Sequence, residues 1–164
     1  MASDVNEIDL PALPGAGLFR RLAALLYDGF LIVAIWMLVG FILQLIFGTD
    51  TNRLEDGVVQ TDPVLDWILF AAMLASAAAF YIWFWCRSGQ TLGMLAWRLR
   101  VQDYQGQLLT PGRAILRLVL AWPSFFLFGL GYLWLLIDRN HDAAHDRLSK
   151  TRVVLLPKEF QLIQ

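Results

Sequence analysis

Arg21 and Asp28 are the residues of this chain whose types and setting could do chemistry. Asp28 lies inside an apolar run, RLAALLYDGFLIVAIWMLVGFILQLIF, from Arg21 to Phe47. A charge at the centre of a membrane helix costs roughly 2.5–3.5 kcal/mol on insertion scales and less near an interface, so an acid there has a partner or a job. The job such an acid can do is to bind or relay a cation or a proton. Arg21 shares its helix face, because a separation of seven at 100° per residue nearly closes two turns, but the two stand about 10 Å apart along the axis. They are too distant to pair, and each is expected to find its counter-charge elsewhere. The alternative to ion chemistry is a structural lock, with Arg21 on Asp146 or on carbonyls of the tail and Asp28 on Arg117 or a loop amide. The residues alone leave both readings open.

Two further groups invite chemistry and do not sustain it. His141 and His145 are four apart, with Asp142 and Asp146 offset by one, a spacing seen in metal sites. No third ligand and no HExxH arrangement accompanies them, so the expectation is a solvated polar connector that positions Asp146, without a metal. Gly89-Gln-Thr-Leu-Gly93 resembles a phosphate loop but lacks the Lys-Ser/Thr ending. It reads as a tight turn, with Gln90 and Thr91 satisfying backbone groups at the preceding helix end. No nucleophile–base pair and no cofactor fingerprint is visible, and the chain is read as a non-enzyme without a cofactor.

The elements that must position these residues are membrane helices. The chain has 164 residues, 58% hydrophobic and 16% charged, with mean hydropathy +0.55. Ordinary soluble domains carry about 25% charged residues. The first span is expected over about 20–47 and the second over 67–86, where WILFAAMLASAAAFYIWFWC carries no charge. Its centre is rich in small residues, which let helix backbones approach closely. A third apolar run, about 114–137, is interrupted by Pro123 and by Gly129 and Gly131, and a broken, re-entrant segment is favoured over a full third span. The stretch WRLRV alternates like a strand, Gln107 to Thr110 could return as another, and TRVVLL near the end is β-rich. These are expected to form a small cytoplasmic sheet. Residues 1–17 read as a flexible, uncleaved lead, 18–157 as the membrane domain and 158–164 as a tail.

Charge sets the orientation. Residues 48–66 carry Arg53 against Asp50, Glu55, Asp56, Asp62 and Asp66, in a turn-rich loop. Residues 87–117 carry Arg87, Arg98, Arg100, Arg113 and Arg117 against Asp103. The positive-inside rule then places the N-terminus and 87–117 in the cytoplasm. A net charge of −1 offers no case for nucleic acid, and the lone Cys86 excludes an internal disulfide.

Four segments, RLAALLYD at 21–28, GQTLGMLAWRLRVQDYQG at 89–106, RAILRLVL around Arg117 and HDRLSKTRVV at 145–154, together resemble the RDD family of bacterial membrane proteins. The resemblance implies that Arg21, Asp28 and Asp146 are the arginine and the two aspartates of the family's name. Met94 departs from the pattern, since similar sequences carry a basic residue after GQTxG. The resemblance also implies a multi-pass protein of the bacterial inner membrane, with ion or small-ligand transport as the usual suggestion. The expected partners are the lipid bilayer and either further copies in a homo-oligomer or a larger membrane complex.

Overall fold

The structure is a computed structural model and describes residues 9–48, 52–55, 58–126, 134, 138 and 142–158. Among these, two helices are long and apolar enough to cross a membrane: α1, Leu18–Phe47, and α2, Pro63–Arg87. At 1.5 Å per residue both exceed the roughly 30 Å hydrocarbon core. α2 begins four residues earlier than its apolar run, and local chemistry explains the start. Pro63 occupies the first helical position, where its missing N–H costs nothing, and the Asp62 carboxylate accepts from the Val64 amide at 2.8 Å. Large apolar side chains face outward on both helices, Met37 and Trp67 each 72% exposed among them. Such surfaces suit lipid and are unfavourable in water.

The chain forms two compact units, one of Met1–Asp28 with Tyr81–Gln164 and one of Gly29–Phe80. In the second unit the Trp36 indole N–H donates to the Met73 carbonyl at 2.9 Å, so the small-residue stretch of α2 lies against α1. The half-buried positions there are 72, 73, 76, 77 and 78, whereas Ala71, Ala75 and Ala79 point outward. The segment read as a turn-rich loop contains a hairpin instead. β1, Asn52–Glu55, pairs antiparallel with β2, Val58–Thr61, with Glu55 opposite Val58. Asp-Gly between the strands is a dipeptide that two-residue hairpins favour, a signal the loop reading overlooked.

In the first unit a short helix α3, Leu92–Ala96, leads into β3, Leu99–Asp103. Then come α4, Pro111–Phe126, α5, Ala144–Leu148, and β4, Thr151–Leu155. β3 and β4 pair antiparallel, with Val101 opposite Val153. Gln107 to Thr110 is not a strand; β4 is the strand that pairs with β3, and on the other edge the Asp103 amide merely donates to the Gln107 carbonyl at 3.0 Å. The lead read as flexible is tied down over its described part. Gly15 bridges Val154, the Leu155 amide donates to Pro14, and the Ala16 amide donates to Val153, each bond 2.9 Å long. A short turn at Leu10–Ala12 covers the polar face of β3. Gln102 is buried and donates to the Leu10 carbonyl at 2.6 Å, so a strand that alternates in sequence is buried on both faces.

α4 continues through Pro123 to Phe126, where a break was expected. Its sixteen residues rise about 24 Å, short of a bilayer core. Apart from Trp134, residues 127–137 lie outside the described ones, and with them the choice between a re-entrant segment and a third span. His141 and the tail after Lys158 lie outside them as well.

Candidate functional site

Asp146 is fully buried, and two arginines from distant helices close on it. Arg21, in the first turns of α1, donates through Nη1 to Asp146 Oδ2. Arg117 on α4 donates through Nη1 to Oδ1 at 2.5 Å and to the Thr151 hydroxyl at 2.6 Å. The same carboxylate reaches back to the Ala143 amide at 2.9 Å, capping the start of α5. Arg21 uses its other donors on backbone, Nε to the Ala16 carbonyl at 2.9 Å and Nη2 to that of Val153 at 3.4 Å. The Arg117 guanidinium lies 5.2 Å from the centre of the Trp85 ring. The cluster thus joins α1, α2, α4, α5 and the edge of β4.

Burial by itself would raise the Asp146 carboxyl, but the guanidinium of Arg117 and then that of Arg21 outweigh it, and the acid is held far below the usual carboxylate range. His145 is lowered too, but for a base that means losing its charge. Burial, assisted by Arg117, lowers its imidazole from 6.5 to about 4, against a smaller opposing pull from Asp146. At neutral pH it is uncharged, so its 3.5 Å approach to Asp146 is not an ion pair. The expectation of a solvated connector is corrected here: His145, Asp142 and Asp146 are all buried.

Asp28 takes neither Arg21 nor Arg117. Its Oδ2 accepts from the Thr91 hydroxyl at 2.5 Å and its Oδ1 from the Gly93 amide at 2.9 Å. Thr91 is the N-cap of α3, and its oxygen also accepts from the Met94 amide at 3.2 Å. α3 is pressed closely onto α1 at this point. A Cβ on Gly93 would collide with the Ala24 carbonyl and lie 2.8 Å from Asp28 Oδ1, so only glycine fits. Trp97 completes the contact, edge-on to Phe19 at 5.8 Å and to Tyr27 at 6.5 Å.

Gln90 and Thr91 were expected to finish the end of α2, but the Ser88 hydroxyl does so, donating to the Phe84 carbonyl at 3.2 Å. Gln90 instead donates to the Leu99 carbonyl at 2.5 Å, tying the GQTLG turn to β3. Arg117, read as a partner for Asp28, belongs to Asp146. Thr151 and Gly93 were not singled out by sequence reasoning. Nothing local marks the threonine, whereas the second glycine of GQTLG could have been read as a close helix approach.

Arg21, Asp28, Arg117 and His145 line one cavity of about 70 Å³, together with Trp85 and Met94. Met94, the departure from the family pattern, thus lines the same cavity as Asp28. The cavity has room for a few waters or one small ion. Two arginines, one aspartate and one histidine line it, and the arrangement can hold charge in place.

Two long apolar helices carrying a buried cluster of arginines and aspartates define a helical membrane protein. A model of the RDD family matches residues 15–150, and the chain belongs to that family. No curated protein and no solved structure matches it.

Proposed function

We propose that this protein is a non-catalytic accessory or scaffold subunit of a larger membrane complex, with its Arg-Asp-Asp set serving as a clasp. The observation that carries this reading is that every member of the set is occupied within the chain. Arg21 and Arg117 hold Asp146, while Thr91 and Gly93 hold Asp28. A buried acid engaged by two donors suits fixing α3 against α1 better than binding and releasing a passing ion. Ala71, Ala75 and Ala79 offer an outward small-xxx-small stripe of the kind through which membrane helices associate.

Transport through a homo-oligomer is the second reading, and the cavity beside Asp28 favours it. It requires self-association, because a pore needs more walls than one copy supplies. The mass of the detergent-solubilised protein, measured with the Ala75→Trp and Asp28→Asn variants, separates the two. The accessory reading expects a mixed complex from which Ala75→Trp loses its partner, while Asp28→Asn changes mainly abundance. A discrete homo-oligomer whose ion flux is abolished by Asp28→Asn at normal protein level would replace it with transport. Ala78 is a poor site for the bulky change, being half-buried.

The proposed location is the bacterial inner membrane, with the N-terminus and the β3–β4 sheet cytoplasmic, on the basic bias of residues 87–117. Leu148, 65% exposed beside Asp146, is a suitable reporter. With Cys86→Ser and Leu148→Cys, an impermeant thiol reagent should label only after lysis. Labelling of intact cells would put this face outside and reverse the orientation.

A further inference from the structure

A second pocket, of about 190 Å³, opens where α2 ends and the GQTLG turn meets β3. Arg100, only 8% exposed, lines it. Among the described residues its side chain makes no hydrogen bond and no ion pair, and its Nε is buried without a partner. Arg87, the last residue of α2, supplies a second guanidinium at the lip, 5.8 Å from the centre of the Trp83 ring. Among the described residues no acid lines the pocket. Ser88 adds a hydroxyl, and Phe84, Leu92 and Leu108 form apolar walls.

The fold holds Arg100 in this position. Gly89 has φ +73°, and a Cβ there would lie 2.7 Å from the Val101 carbonyl and 3.2 Å from Arg100 Cγ. The Val101 amide donates to Gly89 at 2.7 Å, so the turn lies directly against the arginine stem. A buried cation without a counter-charge is costly, and a guanidinium matches a phosphate with two parallel hydrogen bonds. Desolvation by burial lowers the Arg100 pKa. The volume falls below the roughly 300–1,000 Å³ of pockets for drug-sized ligands and suits a single head group.

We propose that this pocket binds a phosphate group, presented by an anionic phospholipid or by a free phosphate. The apolar walls beside the cations match a phosphate attached to a glycerol and acyl chains, and α2 ends where head groups lie.

The test uses the delipidated full chain in neutral detergent, titrated with phosphatidylglycerol or phosphatidylcholine and followed by native mass spectrometry, with inorganic phosphate as competitor. The wild type should prefer phosphatidylglycerol by at least about fivefold, the factor that goes with one charge near a membrane surface. Arg100→Gln should bring the ratio close to one, and Arg100→Lys should keep most of it. Arg87→Gln, at an exposed position, should weaken the preference even if Arg100→Gln does not fold. Displacement by millimolar phosphate would show that the free group suffices, and resistance to it would assign the lipid. A wild type without preference for phosphatidylglycerol and without phosphate binding overturns the proposal. So does a preference that both Arg87→Gln and Arg100→Gln retain.

Discussion

Asp146→Asn is expected to cost about 3–5 kcal/mol of stability, the penalty for removing one partner of a buried ionic cluster. The native carboxylate is the shared counter-charge of two guanidiniums that are themselves buried, and it caps α5 through the Ala143 amide. Asparagine keeps the shape but has no charge, and it can accept from only one of the two arginines. The loss would fall on the first unit, because the cluster is where α1, α4, α5 and β4 meet. Unfolding in mild detergent, followed through the fluorescence of the seven tryptophans, should show a much lower midpoint, and cellular abundance should fall with it. Asp146→Asn combined with Arg117→Gln should recover part of the loss, since it removes one of the stranded cations. A single variant that melts with the wild type would show that the cluster does not hold the fold.

Acidification should destabilise the protein in two separable windows. His145 takes a proton near pH 6.5 when unfolded but only near 4 when folded. Between those values the unfolded state binds more protons, so stability falls as the pH falls, by about 3 kcal/mol over the whole window. Below it Asp146 takes over. Its folded carboxyl is depressed, so the stability it contributes is present above about 3.8 and is lost as the pH drops further. Asp142 acts in the opposite sense, because burial raises its carboxyl and the folded form is protonated first. His145→Gln keeps Asp142, Arg21 and Arg117 in place and isolates the imidazole. Melting curves at pH 7, 5.5 and 4.5 should show a slope in the wild type that the variant has lost. Equal slopes in the two proteins would mean that His145 is not held neutral by its surroundings.

Much of the scaffold was legible before any coordinates. Hydropathy is a property of contiguous residues, so the two long helices and their approximate limits could be read directly. Alternation in WRLRV marked β3, and β-branched residues in TRVVLL marked β4. The separation of seven between Arg21 and Asp28 already meant that the two do not pair. The misreadings fell where a contact with a distant segment changes what a local pattern means. Pro14 to Ala16 looks like a loose leader because nothing nearby in sequence reveals that β4 needs an edge partner. Gln102 looks like the solvent side of a strand because the turn at Leu10–Ala12 that covers it lies ninety residues away. Pro123 looked like a break, but a helix whose face packs against α5 and β4 carries it.

The sequence by itself determined that this is a membrane protein, that residues 87–117 carry five arginines against one acid, and that Arg21 and Asp28 are set apart from the residues around them. Composition and periodicity are enough for that, since they depend only on the nearest residues along the chain. Only the tertiary structure decided which charge meets which. Arg21 and Asp146 are 125 positions apart, and no short-range rule distinguishes Arg117 as a partner for Asp146 from Arg117 as a partner for Asp28. That choice is made by packing: Gly93 allows α3 so close to α1 that the Thr91 hydroxyl and a backbone amide reach Asp28, which leaves both arginines to Asp146.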